Sequence, residues 1–133
     1  MPDFQALLHS IAKRPAMCVG RCSIRDVGHY LDGYCHALSD QGHAETPLVG
    51  WMRWVELQFL ISHPAWHWTR ILLHIYGDDR AAIEALPELH RQFLAERTLI
   101  GVDGIEAALD RRLIQVHGEP WYEPAATNTT IDA

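Results

Sequence analysis

Histidines are the first residues of this chain whose spacing could support chemistry. His63 and His67 lie four residues apart, and His74 follows seven residues later, so a helix could gather their imidazoles around a metal ion. The zinc-protease motif H-E-x-x-H is absent, because no acidic residue stands between His63 and His67. With nine histidines in 133 residues, chance pairings are common. Ordinary surface or core histidines are the competing interpretation.

Other reactive residues do not complete a known motif. His43 and Glu45 form the H-x-E that opens the zinc-deaminase signature, but that signature needs a downstream P-C-x-x-C. All three cysteines, Cys18, Cys22 and Cys35, precede His43, and an odd count without an export signal favours free thiols. We therefore predict no catalytic residue, no metal ligand and no cofactor. A metal-dependent enzyme or small-molecule binder using the three histidines above is the alternative.

Tryptophans are concentrated in the middle of the chain. Trp51, Trp54, Trp66 and Trp68 fall within eighteen residues, and Arg53 and Arg70 lie among them. One interpretation is a ring-rich core where two helices meet. The other is that one or two of these rings line a partner-binding groove, since tryptophan and arginine are enriched in interface hot spots. On the second interpretation, Trp66 and Trp68 are candidate partner contacts.

Negative charge is concentrated in the C-terminal part. The net charge is −6, and residues 1–77 are balanced, with six acids and six bases, whereas residues 78–133 hold eleven acids and five bases. An acidic surface argues against nucleic-acid binding, which needs a basic footprint, and suits a basic protein partner. A solvated face that only maintains solubility is the alternative. The candidate partner-binding acids are Asp78, Asp79, Glu84, Glu88, Asp103, Glu106 and Asp110.

Helices are the elements predicted to position these side chains. Apolar residues recur at spacings of three and four over residues 3–13, 24–38, 48–61 and 65–76, which is the helical period. Ser23 and Thr46 are predicted N-caps of the second and third of these helices. A fifth helix is predicted to begin at Asp78, and a last one at Asp103 after Gly101.

Two glycines lie inside the second predicted helix, where glycine is unfavourable. Gly28 and Gly33 each cost up to about 1 kcal/mol relative to alanine in a helix interior. Such a cost suggests close packing of another helix, or of a large ring, over the glycine.

Six helical segments without a convincing alternating strand predict an all-α, single-domain bundle. Residues 1–117 form the predicted domain and residues 118–133 a flexible C-terminal tail. Hydrophobic residues make up 48% of the chain, yet no segment has the roughly 18 uncharged apolar residues of a membrane span. The N-terminus lacks the layout of a secretory signal. The expected location is therefore the cytoplasm, without membrane contact.

Several motifs resemble those of a group of small helical bacterial proteins. The group carries an R-P-x-M-Y-x-G turn, a helix ending near G-Y and an aromatic W-V segment, and the similarity covers roughly residues 11–97. Cys18 stands where the group usually has tyrosine. The matching positions are Arg14, Pro15, Met17, Gly20, Gly33, Tyr34, Trp54 and Val55.

Members of that group are often interpreted as immunity proteins of interbacterial toxin systems. The resemblance thus implies a non-enzymatic antitoxin whose partner is a cognate toxin. A basic domain that acts on nucleic acids is one candidate for that toxin. An aromatic anchor ringed by acidic residues would then occlude the toxin's active site. An oligomeric structural module is a third, simpler hypothesis.

Overall fold

The computed structural model describes residues 3–117 and shows six helices and no strand within them. The predicted all-α bundle is confirmed for this part of the chain, and the predicted tail, residues 118–133, lies outside it. The helices are α1 (Phe4–Lys13), α2 (Pro15–Val19), α3 (Ile24–Asp40), α4 (Trp51–Phe59), α5 (Trp68–Tyr76) and α6 (Asp79–His117).

The long helix α6 organises the bundle, because α1, α3, α4 and α5 all pack against it. Asp78 caps it, with its Oδ1 accepting a hydrogen bond of 2.7 Å from the Ala81 amide. The backbone leaves helical geometry at Gly101 (φ 76°, ψ 171°), which divides α6 into two halves. The predicted break at Gly101 is confirmed, but the helical backbone resumes directly afterwards, so Asp103 lies in the first turn instead of capping it. No helix within residues 3–117 has the length and apolar character needed to cross a membrane.

Helix α3 begins where its sequence predicts. The Ser23 hydroxyl accepts a hydrogen bond of 3.2 Å from the Asp26 amide, and the stripe of Val27, Leu31 and Leu38 is buried. Tyr30 falls within the apolar period of residues 24–38 but is 42% exposed. The cap and the buried stripe together set the orientation of α3 against α5 and α6.

Helix α2 lies between the first two predicted helices, in a stretch for which no helix was predicted. Pro15 stands at its first position, and Gly20 ends it in the left-handed conformation (φ 90°). Proline at the start and glycine just past the end are the usual punctuation of a helix. The signal was present in the sequence, but five residues are too few to show a helical period.

Helix α4 starts three residues later than expected, and the prediction that Thr46 caps it is wrong. The segment before α4 turns instead: Arg97 Nη1 donates to the carbonyls of Thr46 (2.9 Å) and Val49 (3.1 Å). Gly50 then adopts a left-handed conformation (φ 87°) before Trp51. An arginine from α6 thus holds the carbonyls in a turn, which no local pattern around Thr46 could reveal.

Aromatic rings fill the core where α4, α5 and α6 meet. The Trp51 ring stacks on Trp54 at a centroid distance of 5.5 Å and meets Trp68 edge-on at 5.6 Å. Phe93 from α6 meets Trp51 edge-on at 5.4 Å. Edge-to-face and offset stacked pairs stabilise a core beyond the area that they bury. The ring-rich core predicted from the tryptophans is therefore present.

His90 is a neutral histidine within this core, 1% exposed. Its Nε2 donates to the Pro47 carbonyl at 2.8 Å, and its Nδ1 accepts from the Gln5 amide at 3.1 Å. Since a carbonyl only accepts, the proton must reside on Nε2. Burial lowers the pKa of His90, an effect partly offset by the bond to Pro47 and reinforced by the nearby Arg97 charge.

His90 should make the protein lose stability in mild acid. Below about pH 6.5 the unfolded chain binds a proton at this histidine that the folded chain does not. The free energy of unfolding should therefore decrease as the pH is lowered. The contribution of His90 to this decrease approaches about 1.4 kcal/mol per pH unit. In urea unfolding between pH 7 and 5, the His90→Gln variant should be less stable than the wild type. Its free energy of unfolding should, however, decrease less steeply as the pH is lowered. His36→Gln, at an exposed site, should keep the wild-type slope. Equal slopes in all three proteins would refute the assignment.

Candidate functional site

Of the four clustered tryptophans, only Trp66 reaches the surface. Trp51, Trp54 and Trp68 are each at most 3% exposed, whereas Trp66 is half-buried and packs on the edge of the core. The prediction that Trp68 contacts a partner is wrong, because Trp68 begins α5 facing the Trp51 ring. Trp66 lies in the loop before α5 and is therefore not part of the buried helical stripe that contains Trp68.

Trp66 is surrounded by nitrogen-bearing side chains. The Arg70 guanidinium carbon lies 4.5 Å from the centre of the indole, the distance of a cation–π contact. The rings of His63 and His74 lie 5.7 Å and 5.6 Å from it. We call His63, Trp66, Arg70 and His74 the Trp66 surface. The expectation of an aromatic anchor ringed by acids is wrong at this site, where the neighbours are a guanidinium and two imidazoles.

A buried acid fixes the loop that carries Trp66. We call residues 60–67 the Trp66 loop. Glu56, in the preceding helix and 2% exposed, accepts hydrogen bonds from Ser62 Oγ at 2.8 Å and from Arg53 Nη1 at 2.9 Å. A buried carboxylate needs such partners to offset the loss of its hydration. The bond to Ser62 therefore ties the loop to α4.

Leu60 and His67 fix the two ends of the loop. Leu60 is left-handed (φ 53°), a conformation that costs a non-glycine residue about 1–2 kcal/mol. His67 Nδ1 accepts from the Thr69 amide at 3.3 Å and so caps α5, while Nε2 contacts Asp32 of α3 at 3.1 Å. This cap explains why α5 begins at Trp68 instead of Ala65. A strained, firmly anchored loop is a reason to look for function there.

The alternative based on a histidine metal site finds no support in the geometry. No group of three histidine, cysteine, aspartate or glutamate side chains able to hold a metal ion occurs within residues 3–117. His67 uses both ring nitrogens within the protein, and His63 Nδ1 accepts from the Ala65 amide at 3.1 Å. The rings of His63 and His74 each contact the Trp66 ring, so these imidazoles pack against the tryptophan.

Four of the seven predicted partner-binding acids have partners within the chain. Besides the Asp78 cap, Asp79 Oδ1 accepts from the Ile24 amide at 2.8 Å and ties the start of α6 to the start of α3. Glu84 pairs with Arg80 at 3.7 Å. Glu88 accepts from Arg91 and Gln92, and the Arg91 bond above all lowers the pKa of Glu88 to about 2. These acids are explained by the fold.

The remaining three acids form an exposed row on the second half of α6. Asp103, Glu106 and Asp110 are exposed, and their spacing of three and four places them on one side of the helix. None of them makes a hydrogen bond or ion pair with the described residues. We call these residues the acidic row. Their charges are therefore open to an outside partner.

A shallow groove of about 460 Å³ lies between the C-terminal end of α4 and helix α6. Leu60 at the start of the loop lines it together with Ala108 and Arg111. Of its described lining residues only Leu60 belongs to the Trp66 loop, and none belongs to the acidic row. A second open groove, about 720 Å³, lies between α1 and the first half of α6. Its Glu84 and Glu88 are already paired with arginines of the same groove.

Sequence reasoning named Trp66 but missed the residues that position it. Glu56 resembles an ordinary polar position in an apolar helix, and only its burial reveals its contact with Ser62. Pro64 was the available signal, because it interrupts the helical pattern and leaves Trp66 outside the next helix.

Comparison with known proteins adds no assignment to this geometry. No protein-family model, curated protein or solved structure matches the chain.

Proposed function

We propose that this chain is an immunity protein that binds a cognate interbacterial toxin and neutralises it by covering its active site. The observation that carries the binding part is the Trp66 surface, where a loop tied to α4 presents Trp66 and helix α5 presents the exposed Arg70 stacked on it. These two residue types dominate interface hot spots. The toxin part rests on the similarity of the motifs around Arg14–Pro15 and Trp54–Val55. The protein would act in the cytoplasm, by binding and not by catalysis.

The acidic row complements the Trp66 surface in this proposal. A toxin domain that acts on nucleic acids has a basic substrate site, because it must attract phosphates. Asp103, Glu106 and Asp110 are free to meet such a site. Charges at the rim of an interface mainly accelerate association, whereas a buried aromatic anchor slows dissociation.

Growth of bacteria that express the partner tests the proposal. The tagged chain would be used to isolate its partner from the organism that encodes it, and the partner would be identified by mass spectrometry. Expressed alone in an indicator strain, that partner should arrest growth, and co-expression of this chain should restore it. A partner that is harmless alone, or arrest that persists despite a stable complex, would contradict the immunity function.

Removing charge from the acidic row should slow association with the toxin. Asp103→Asn combined with Glu106→Gln is expected to lower the association rate about tenfold at low ionic strength. The difference should shrink in about 0.5 M salt, because salt screens exposed charges. Glu84→Gln with Glu88→Gln removes the same charge where the acids are already paired, and should have little effect. Equal effects of both pairs in stopped-flow measurements would exclude a specific role for the row.

A further inference from the structure

Arg70 combines an aromatic stacking partner with the absence of a carboxylate partner among the described residues. The chain has seventeen acids for eleven lysines and arginines. Exposed arginines such as Arg21, Arg80 and Arg91 pair with a carboxylate. Others, such as Arg25 and Arg111, make no ion pair with the described residues. Arg70 is exposed and makes no ion pair with the described residues. Its one partner there is the Trp66 ring.

Stacking prepares this guanidinium to bind a planar anion. A guanidinium held over a ring loses much of its rotational freedom before any ligand arrives, while the N–H groups along its edge stay open to solvent. Those groups match the two oxygens of a carboxylate in a bidentate pair. The imidazoles of His63 and His74, on the same indole, offer further nitrogens. No carboxylate of the described residues is in hydrogen-bonding contact with Arg70.

We propose that the Trp66 surface binds a carboxylate-bearing segment of a protein partner. Arg70 would take the carboxylate in a bidentate pair, and the Trp66 ring would pack against an adjoining apolar side chain. The inference deepens the proposed function, since it names the chemistry of the partner at this surface. A nucleic acid is a poor occupant, because a chain of net charge −6 repels a phosphate polymer.

A short peptide can test the inference without any toxin. The probe is acetyl-Glu-Leu-Glu-amide, titrated into ¹⁵N-labelled full-length protein, with acetyl-Gln-Leu-Gln-amide as its neutral counterpart. The acidic peptide should shift the Arg70 Nε–H and Trp66 indole N–H signals with saturation at millimolar concentration. Arg70→Lys keeps the charge but loses the planar guanidinium that can form a bidentate pair, and it should weaken binding about fivefold or more. Arg25→Lys, at an exposed arginine without a stacked ring, should leave it unchanged.

Three results would overturn the inference. They are the absence of saturable shifts at Arg70, equal shifts with the glutamine peptide, and tighter binding of oligothymidylate at the same two residues. The test is independent of the immunity function. If the peptide binds as expected but the isolated partner proves harmless to bacteria, the proposed function fails while the carboxylate site stands.

Discussion

Replacing Gly28 with alanine is expected to lower the free energy of unfolding by about 2–3 kcal/mol, the upper part of the range of about 1–3 kcal/mol for overpacking a core. A Cβ on Gly28 would lie 2.4 Å from Thr69 Cγ2, far inside van der Waals contact. Thr69 cannot easily turn away, because it is 5% exposed and its hydroxyl contacts His67 Nδ1 at 3.0 Å. Helices α3 and α5 would have to separate. Thermal unfolding followed by circular dichroism measures the effect as a lower Tm.

The same helix supplies the matched control. Gly33 lies in α3 and is exposed, and a Cβ at its position would have no neighbouring side chain within 4 Å. Alanine there should raise stability by about 0.5–1 kcal/mol, because glycine loses more conformational entropy on folding. Opposite signs for the two substitutions are the expected outcome. A neutral Gly28→Ala variant would mean that α3 and α5 are not in the close contact described.

Replacing Trp66 with alanine is expected to weaken binding of the toxin at least about 30-fold, which corresponds to about 2 kcal/mol and is typical of a hot-spot residue. The loss would include the indole contact and the support that the ring gives to Arg70. Isothermal titration calorimetry, at a temperature where circular dichroism shows the variant folded, measures the affinity. The loss should appear mainly as faster dissociation.

Leu73 provides the comparison for Trp66. It lies on α5, is 36% exposed and has no aromatic or charged partner among the described contacts. Leu73→Ala should change the affinity less than about threefold, since most interface positions are near-neutral. Similar losses for Leu73→Ala and Trp66→Ala would mean that the affinity depends on α5 in general and not on the Trp66 surface.

Local chemistry made several elements predictable. The Ser23 cap and the break at Gly101 each depend on one or two residues and their own backbone. The inward stripes of α3 and α6 follow from a period that burial on one face requires. Where the determinants lie within a few positions of each other, the sequence contains enough to locate them.

Contacts between distant residues account for the errors. The turn before α4 depends on Arg97, about fifty residues further along the chain, and on the Pro47 carbonyl bound by His90. Ile75 falls within the apolar period of residues 65–76 but is 40% exposed, whereas Trp68, Ile71 and Leu72 of the same helix are buried. Contacts of this kind leave no pattern in the neighbouring residues of the sequence.

The candidate site was only half predictable for the same reason. Trp66 and Trp68 look alike in the sequence, and the loop geometry that separates them is set by Glu56, Ser62 and the His67 cap. The acids of α6 also look alike, but pairing inside the chain leaves only the acidic row open. Composition determines the net charge, whereas the fold determines which charges a partner can reach.

The central claim is that this chain binds a protein partner through the Trp66 loop and the second half of α6. Hydrogen exchange of the isolated complex is its most direct test. Binding should slow amide exchange in residues 60–76 and 102–113, with little change in α1. Protection confined to the groove between α1 and the first half of α6, with residues 60–76 unchanged, would contradict the account.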